Sequence, residues 1–508
     1  MLARLSSASL RGLDAEAVDV EVDLSKGLPC WTLVGLPEGS VREARDRVRS
    51  AVLNSGFEFP LRRITVNLAP ADRRKDGSHF DLPIAIGLLL ASGQIKMNET
   101  DNVPFLIGEL ALDGRLNPVR GVLPLALFAR AQQFDAIIIP AGNADEIAAV
   151  EGIVVLSAEH LLDVARHLGG KQKLAVAEAN ESLNDITHEA PDMADIRGQQ
   201  QARRALEIAA AGGHHLLMTG SPGAGKSMLA QRLPGIMPPL TRQQALEVTR
   251  IYSISGDTSR PPMSNRPPLR QPHHSASDVA IIGGGSNPKP GEISKADHGI
   301  LFLDELAEHK RAVLETLRQP LEDGRVCIAR AAETVEFPAR FQLVAAMNPC
   351  PCGYFGHPSR ACSCPASQIR RYTGRISGPL LDRFDLRIHV PPVEREDLAR
   401  MQPGEPSAAI AERVVAARRR QHDRLGDGRC NARMTSSEIE AFARPDSEGS
   451  KLLDHAMKHF SLSARSYHRI LKVARTIADL SGAESIASSH IAEALQYRGE
   501  ETGNIGAI

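Results

Sequence analysis

Two rhythms of apolar and polar residues divide the chain. In the first third, VDVEVDL (18–24), RITVNLA (63–69), FLIGELAL (105–112) and AIIIP (136–140) read as strands. SVREARDRVRSAVLNSG (40–56) spaces Val and Ala as a helix does, with Arg on the opposite, solvated face. LPIAIGLLLA (82–91) is apolar all round, which predicts a buried helix too short to cross a bilayer. A polar stretch over 169–192 reads as a linker. From 193 strands alternate with long helices, the pattern of a doubly wound α/β core. The Pro- and Arg-rich segment 256–275 interrupts that core and is too long for an ordinary loop. Beyond 396 strand signals vanish and five helical segments follow, with Ser or Gly at their caps. The expectation is an α/β multidomain protein: an N-terminal domain over 1–168, a linker over 169–192, a core over 193–395 and a helical domain over 396–508.

Composition narrows the class. The 508 residues are 42% hydrophobic and 24% charged, ordinary for a soluble globular chain. Lys+Arg 60 against Asp+Glu 61 leaves a formal net charge of -1, which excludes a bulk polycation but not a local basic surface. Aromatics are 4%, with one Trp, so base stacking is not expected as the main binding mode. The first residues lack a basic stretch followed by a long apolar run, so a secretory signal is not expected. A cytoplasmic, soluble protein with no membrane partner is the expectation.

Chemistry concentrates at Gly220-Ser221-Pro222-Gly223-Ala224-Gly225-Lys226-Ser227, which fits G-x-x-x-x-G-K-[ST] after an apolar strand. Glycines let successive N–H groups turn toward phosphate oxygens, Lys226 supplies charge to them, and Ser227 offers a hydroxyl to Mg²⁺. Downstream, Ile300-Leu-Phe-Leu-Asp304-Glu305 is a buried strand ending in two acids. Asp304 suits a magnesium ligand and Glu305 a general base. FQLVAAMN (341–348) ends in Asn348, placed to orient water or a γ-phosphate. Arg383 follows in GPLLDRFDL, and Arg465, Arg469 and Arg475 lie on a late helix. ATP hydrolysis with Mg²⁺ is the expected chemistry.

These segments, with RGQQQARRALEIAAAGGHHLLMTGSPGAGKS and LSARSYHRILKVARTIADL, resemble AAA+ ATPases of the magnesium-chelatase-like branch. Over the whole length the resemblance is to the bacterial ComM/YifB family. It implies that Lys226 and Ser227 are Walker A, Asp304 and Glu305 Walker B, and Asn348 sensor 1. Arg383 becomes an arginine finger reaching a neighbour's ATP, and Arg465 becomes sensor 2. It further implies a homo-oligomeric ring, typically a hexamer, with core inserts near 256–295 and at the hairpin 326–338, whose Arg330 faces a central pore and DNA.

Residues 18–168 resemble the peptidase domain of Lon through NLAPADRRKDGSHFDLPIAIGLL (67–89) and IGELALDGRLNPVRGVLPLALFA (107–129). Laying Lys75-Asp76-Gly77 on that pattern puts His79 where the nucleophilic serine belongs, with Ser78 one place off. Matching Gly121 puts Leu123 where the lysine belongs. The fold is expected without the dyad, hence without peptidase activity.

Cys350, Cys352, Cys362 and Cys364 form C-x-C…C-x-C directly after Asn348 and are expected to hold a structural Zn²⁺. His357 is a weaker candidate ligand, and Cys30, Cys327 and Cys430 are isolated. The resemblance implies a DNA motor that drives branch migration and integration of incoming single-stranded DNA during natural transformation, acting on branched, three-stranded or single-stranded DNA. The alternatives are a chelatase-like protein-remodelling ATPase and an ATP-dependent protease.

Overall fold

Strict alternation builds the first sheet. Its strands are β1 (Leu2–Arg11), β2 (Asp14–Ser25), β3 (Cys30–Val34) and β4 (Arg63–Ala69), in the order β1-β2-β4-β3. Along β2, Val18, Val20, Val22 and Leu24 are buried while Asp19, Glu21 and Asp23 point to the other face. Helices α1 (Ala44–Asn54) and α2 (Asp81–Ala91) supply the apolar residues that pack on those valines. The expected buried helix is therefore present, with nearly every residue of α2 out of solvent. This is a computed structural model; it describes all residues except 98–101, 148–149, 178–190, 286–287, 330–333, 393–401, 427, 461 and 499–508.

A second sheet has the order β10-β9-β8-β5, from β5 (Phe105–Leu106), β8 (Ala136–Pro140), β9 (Val154–Ala158) and β10 (Ala175–Val176). The run 105–112, expected as one strand, is two. β5 stops and β6 (Glu109–Leu110) pairs instead with β7 (Leu116–Asn117). Gly108 makes the break: its N–H donates to His79 O at 2.9 Å, and its carbonyl accepts from Leu82 N at 3.0 Å. A Cβ there would come within 2.7 Å of Leu116 Cδ2, so a larger residue would have to displace that side chain. Helices α3 (Val122–Ala131) and α4 (Leu161–Leu168) complete this layer.

The chain forms two units, one of residues 1–186 with 242–264 and the other of 187–241 with 265–508. The helix Arg242–Ser255 thus belongs with the first unit, although it falls inside the span expected for the core. Gly121 N donates to Ser253 O at 3.1 Å, and Arg250 donates to Leu13 O at 2.8 Å.

The second unit is built on five parallel strands, β11 (Leu216–Thr219), β12 (Leu269–Arg270), β15 (Ile300–Leu303), β18 (Gln342–Met347) and β19 (Leu386–His389). Their order is β12-β15-β18-β11-β19, and hairpins β13–β14 (Gly283–Gly284, Lys289–Pro290) and β16–β17 (Arg325–Ala329, Thr334–Pro338) stand outside it. The central strands are buried on both faces, as parallel sheets require. Helices α5 (Gln200–Gly212), α6 (Lys226–Arg232) and α7 (Ala366–Thr373) accompany the sheet.

The five late helices are α8 (Ser407–Leu425), α9 (Ser436–Phe442), α10 (Ser447–His459), α11 (Ala464–Ser481) and α12 (Ser488–Gln496). Ser463 and Thr435 cap α11 and α9 through their hydroxyls. The Arg418-Arg419-Arg420 run on α8 is mostly internal fastening. Arg418 donates to Ala210 O at 2.9 Å and Arg420 to Asp479 O at 2.8 Å. Asp479, wholly buried, accepts from Arg424 at 2.7 Å, Asn431 at 2.7 Å and Arg475 at 3.1 Å. Arg475 is thereby a core ion-pair residue of α11.

Candidate functional site

In a parallel sheet, ligand crevices open at the carboxyl ends of the strands where chain order reverses. Here β18 lies between β11 and β15, so Asn348 emerges between the loop after β11 and the acids after β15. That loop is Gly220–Lys226. Gly223 (φ 79°) and Gly225 (φ 88°) take left-handed conformations, and the space where their Cβ atoms would sit is open. Gly220 is fixed for another reason: a Cβ would lie 2.3 Å from Val390 O.

Lys226 is buried at the start of α6 and its Nζ donates to Gly220 O at 2.7 Å, Ser221 O at 2.9 Å and Asn348 Oδ1 at 3.2 Å. Burial lowers its pKa, and the charges of Asp304 and Glu305 work against that. Ser227 Oγ donates to Asp304 Oδ2 at 2.6 Å, while Asp304 Oδ1 accepts from Glu305 N at 2.9 Å. Five sequence-selected side chains, Lys226, Ser227, Asp304, Glu305 and Asn348, therefore converge. The loop suits a polyphosphate with Mg²⁺. Ser221 Oγ is buried without a hydrogen-bond partner among the described residues, and the glycine cradle is open where phosphate oxygens would lie.

The arginines stand apart from this group. Arg383 is set against Glu322, and burial together with the charges of Arg469 and Arg465 lowers its pKa. Arg465 is exposed, whereas Arg469 lies 3.7 Å from Asp385. Arg330 lies outside the described residues.

Two histidines that the sequence reading did not single out join the acids. His274, after β12, places Nδ1 3.1 Å from Glu305 Oε2. His309 donates from Nε2 to Asp304 O at 3.2 Å, and burial lowers its pKa. Glu305 itself has φ 50°, a left-handed position that a non-glycine residue holds only under constraint. The signal was the His pair in QPHHS, which carries no spacing rule of its own.

The four cysteines also converge. Cys350 Sγ lies 3.3 Å from Cys352 and 3.6 Å from Cys362, and Cys352 lies 3.5 Å from Cys362. All four sulfurs are within 4.8 Å of one another. A tetrahedral Zn²⁺ with Zn–S bonds of ~2.3 Å sets its sulfurs about 3.8 Å apart, so the donor set fits that ion. His357 is outside the group and accepts from Ser359 N and Arg360 N at 3.2 Å. Gly353, at φ 84°, ties the cysteine turn to the phosphate loop, since a Cβ there would lie 2.5 Å from Pro222 Cδ.

In the first unit, His79 and Leu123 are both buried. His79 Nε2 lies 2.8 Å from Ala8 O, and burial holds its pKa down at about 4. Ser78 donates to Glu109. Asp81 accepts from Arg47 at 2.6 and 2.9 Å, and burial raises its pKa to about 6.

A parallel sheet with a glycine-rich loop, a following lysine and paired acids at its carboxyl edge defines a P-loop protein. Three stretches match magnesium chelatase families: residues 192–398 the magnesium chelatase subunit ChlI, 20–143 subunit ChlI of Mg-chelatase, and 404–498 the ChlI C-terminal region. The chain is 47% identical to the competence protein ComM of Haemophilus influenzae, over 98% of this chain and 97% of that one. It is 46% identical to the uncharacterized protein YifB of Escherichia coli, over 96% and 95%. The magnesium-chelatase 38 kDa subunit of Cereibacter sphaeroides is 24% identical over 38% of this chain and 57% of its own. The chain belongs to the ComM/YifB family of magnesium-chelatase-like proteins.

Proposed function

We propose that the protein is a cytoplasmic AAA+ ATPase that assembles as a ring, typically a hexamer, and uses ATP to move branched or three-stranded DNA during natural transformation and recombination. The observation that carries the ATPase reading is the convergence of Lys226, Ser227, Asp304, Glu305 and Asn348 at one sheet edge. The DNA reading rests on similarity over nearly the whole chain to a competence protein.

In this mechanism Lys226 exchanges its two loop carbonyls for the β- and γ-phosphate oxygens of ATP. Ser227 and Asp304 would hold Mg²⁺, which when bound neutralises charge on those oxygens. Glu305 takes the proton of the attacking water, and Asn348 orients that water against the γ-phosphate. Arg383 of each subunit completes the neighbour's site in trans, and Arg465 acts as sensor 2 from the helical domain, so an isolated subunit turns over slowly. The N-terminal domain, read over 1–168, is Lon-like, and the helix Arg242–Ser255 packs with it and not with the core read over 193–395. The Lon-like domain has no peptidase dyad, because His79 and Leu123 stand where the serine and the lysine belong. The four cysteines hold a structural Zn²⁺. Arg330, in the 326–338 hairpin, contacts DNA in the pore.

The magnesium-chelatase matches along the chain favour one second reading, a protein-remodelling motor. Strand displacement on a synthetic three-stranded junction with Mg·ATP, beside a Lys226→Ala control, separates the two. Movement absent from the control establishes the DNA motor. ATP hydrolysis that neither moves nor responds to any junction excludes it in favour of a protein substrate.

A further inference from the structure

The first unit carries a basic surface that the ATPase site does not use. β3 is the last strand of its sheet, so one edge of it has no strand partner among the described residues. On this strand Trp31, half-buried, stacks on Phe59 with ring centroids 6.2 Å apart and planes 23° from parallel, and both rings pack on the apolar core with one part left open. The guanidinium of Arg49, on α1, lies 5.8 Å from the Phe59 ring centre. Arg45 is one helical turn earlier on α1, and Arg63 lies opposite Cys30, the neighbour of Trp31, with Arg62 beside it. Leu28 and Leu61 border the same strand ends at 89% and 83% exposure.

Several other arginines of this unit are held in ion pairs. Arg4 binds Asp19, Arg11 and Arg73 bind Glu16, Arg47 binds Asp81 and Arg74 binds Glu38. Arg45, Arg49, Arg62 and Arg63 are exposed and make no ion pair among the described residues. Glu43, Asp46 and Glu58 are exposed acids beside them in sequence; Glu43 pairs with Arg47, and none of the three pairs with any of the four. The patch thus keeps an excess of positive charge around an aromatic platform.

We propose that this surface binds single-stranded DNA, with phosphates on Arg45, Arg49, Arg62 and Arg63 and an unpaired base on the Phe59–Trp31 platform. Unpaired guanidinium groups supply charge for the backbone, and a partly open ring pair accepts a base face whatever the sequence. This deepens the DNA-motor reading and rests on it. It gives the first unit its own part: holding the strand that the ATPase ring moves. With one platform only, phosphate contacts carry most of the affinity, in keeping with the low aromatic content.

Trp31, the chain's one tryptophan, reports on this patch directly. The full-length protein is titrated with a labelled twenty-nucleotide oligo-dT without ATP, reading Trp31 emission and oligonucleotide anisotropy together. The expected result is quenching in the parent and equally in Lys226→Ala. In Arg45→Glu/Arg49→Glu, binding weakens about tenfold or more and the salt slope falls by about 2, while basal ATPase stays at the parent level. Phe59→Leu tests the platform and is expected to diminish the quench. Equal quenching by a duplex of the same length overturns the single-strand assignment. Oligonucleotide binding without a Trp31 response, or unchanged in the double variant, overturns the surface and leaves the motor reading standing. No anisotropy change with any DNA overturns both.

Discussion

Nδ1 of His274 stands 3.1 Å from Oε2 of Glu305, the side chain proposed as general base. His274 comes from the segment after β12, so the position of the base depends on a part of the chain remote from the phosphate loop. Glu305→Gln is expected to lower kcat by roughly 10²-fold or more with ATP binding retained, the usual scale for loss of a general base. His274→Ala should lower kcat by a smaller factor, about 3- to 10-fold, with the KM for ATP unchanged, because it loosens the carboxylate without removing it. The informative measurement is the double variant. If His274 acts through Glu305, the pair is no worse than Glu305→Gln alone. Multiplying losses would show that His274 works by another route.

The cysteine turn and the phosphate loop touch where Gly353 meets Pro222. Elemental analysis of protein purified without chelators should find about one zinc per chain, lost in Cys352→Ser. Nucleotide affinity should fall with it, read with a fluorescent ATP analogue. Gly353→Ala keeps all four sulfurs but adds a Cβ 2.5 Å from Pro222 Cδ at φ 84°. Strain of ~1–3 kcal/mol there corresponds to about tenfold weaker ATP binding or more, with zinc retained. Zinc loss with ATP binding intact would uncouple the two elements.

Local chemistry explains which parts were readable in advance. The phosphate loop, both acids and Asn348 were legible because phosphate and magnesium dictate residue types at adjacent positions, each at a strand end. α2 was legible because ten apolar positions in a row leave no solvent face. β1 and β3 were not, since LARLSSASLR has no clean period and is a strand by virtue of its pairing with β2. The split of 105–112 at Gly108 depends on hydrogen bonds to residues 79 and 82, which no pattern within the segment encodes. The same applies to the helix Arg242–Ser255, whose pattern shows a helix but not the unit it packs with. His274 and Gly353 acquire meaning from partners some thirty and over a hundred residues away.

Asp479 shows how the late helices are fastened. Its carboxylate is wholly buried and shared by Arg424, Asn431 and Arg475. Asp479→Ala leaves two guanidinium groups without their anion in the interior, at an expected cost of ~3–5 kcal/mol. The loss should appear in urea unfolding followed by far-UV circular dichroism. A change below ~1 kcal/mol would mean that solvent already reaches the site and screens those charges.

His79 makes the first unit sensitive to acid in a direction that can be worked out. Its imidazole is buried, 3% exposed, and titrates at about 4, against an ordinary histidine value near 6.5. Between those two values the unfolded chain holds a proton that the folded chain does not. Stability from this group is therefore complete above pH ~6.5 and falls by ~3 kcal/mol as pH drops to ~4. Asp81, raised to about 6 by burial, acts the other way: the folded state takes up its proton first, which adds stability over much the same window. The two contributions oppose each other, so the histidine contribution is read by difference. Relative to the parent, His79→Gln should gain ~3 kcal/mol between pH 6.5 and 4, read by denaturant unfolding with Trp31 emission as the reporter of this unit. A difference that stays flat across that range would mean that His79 protonates in the folded state as readily as in the unfolded one, and that its contact with Ala8 O survives the added charge.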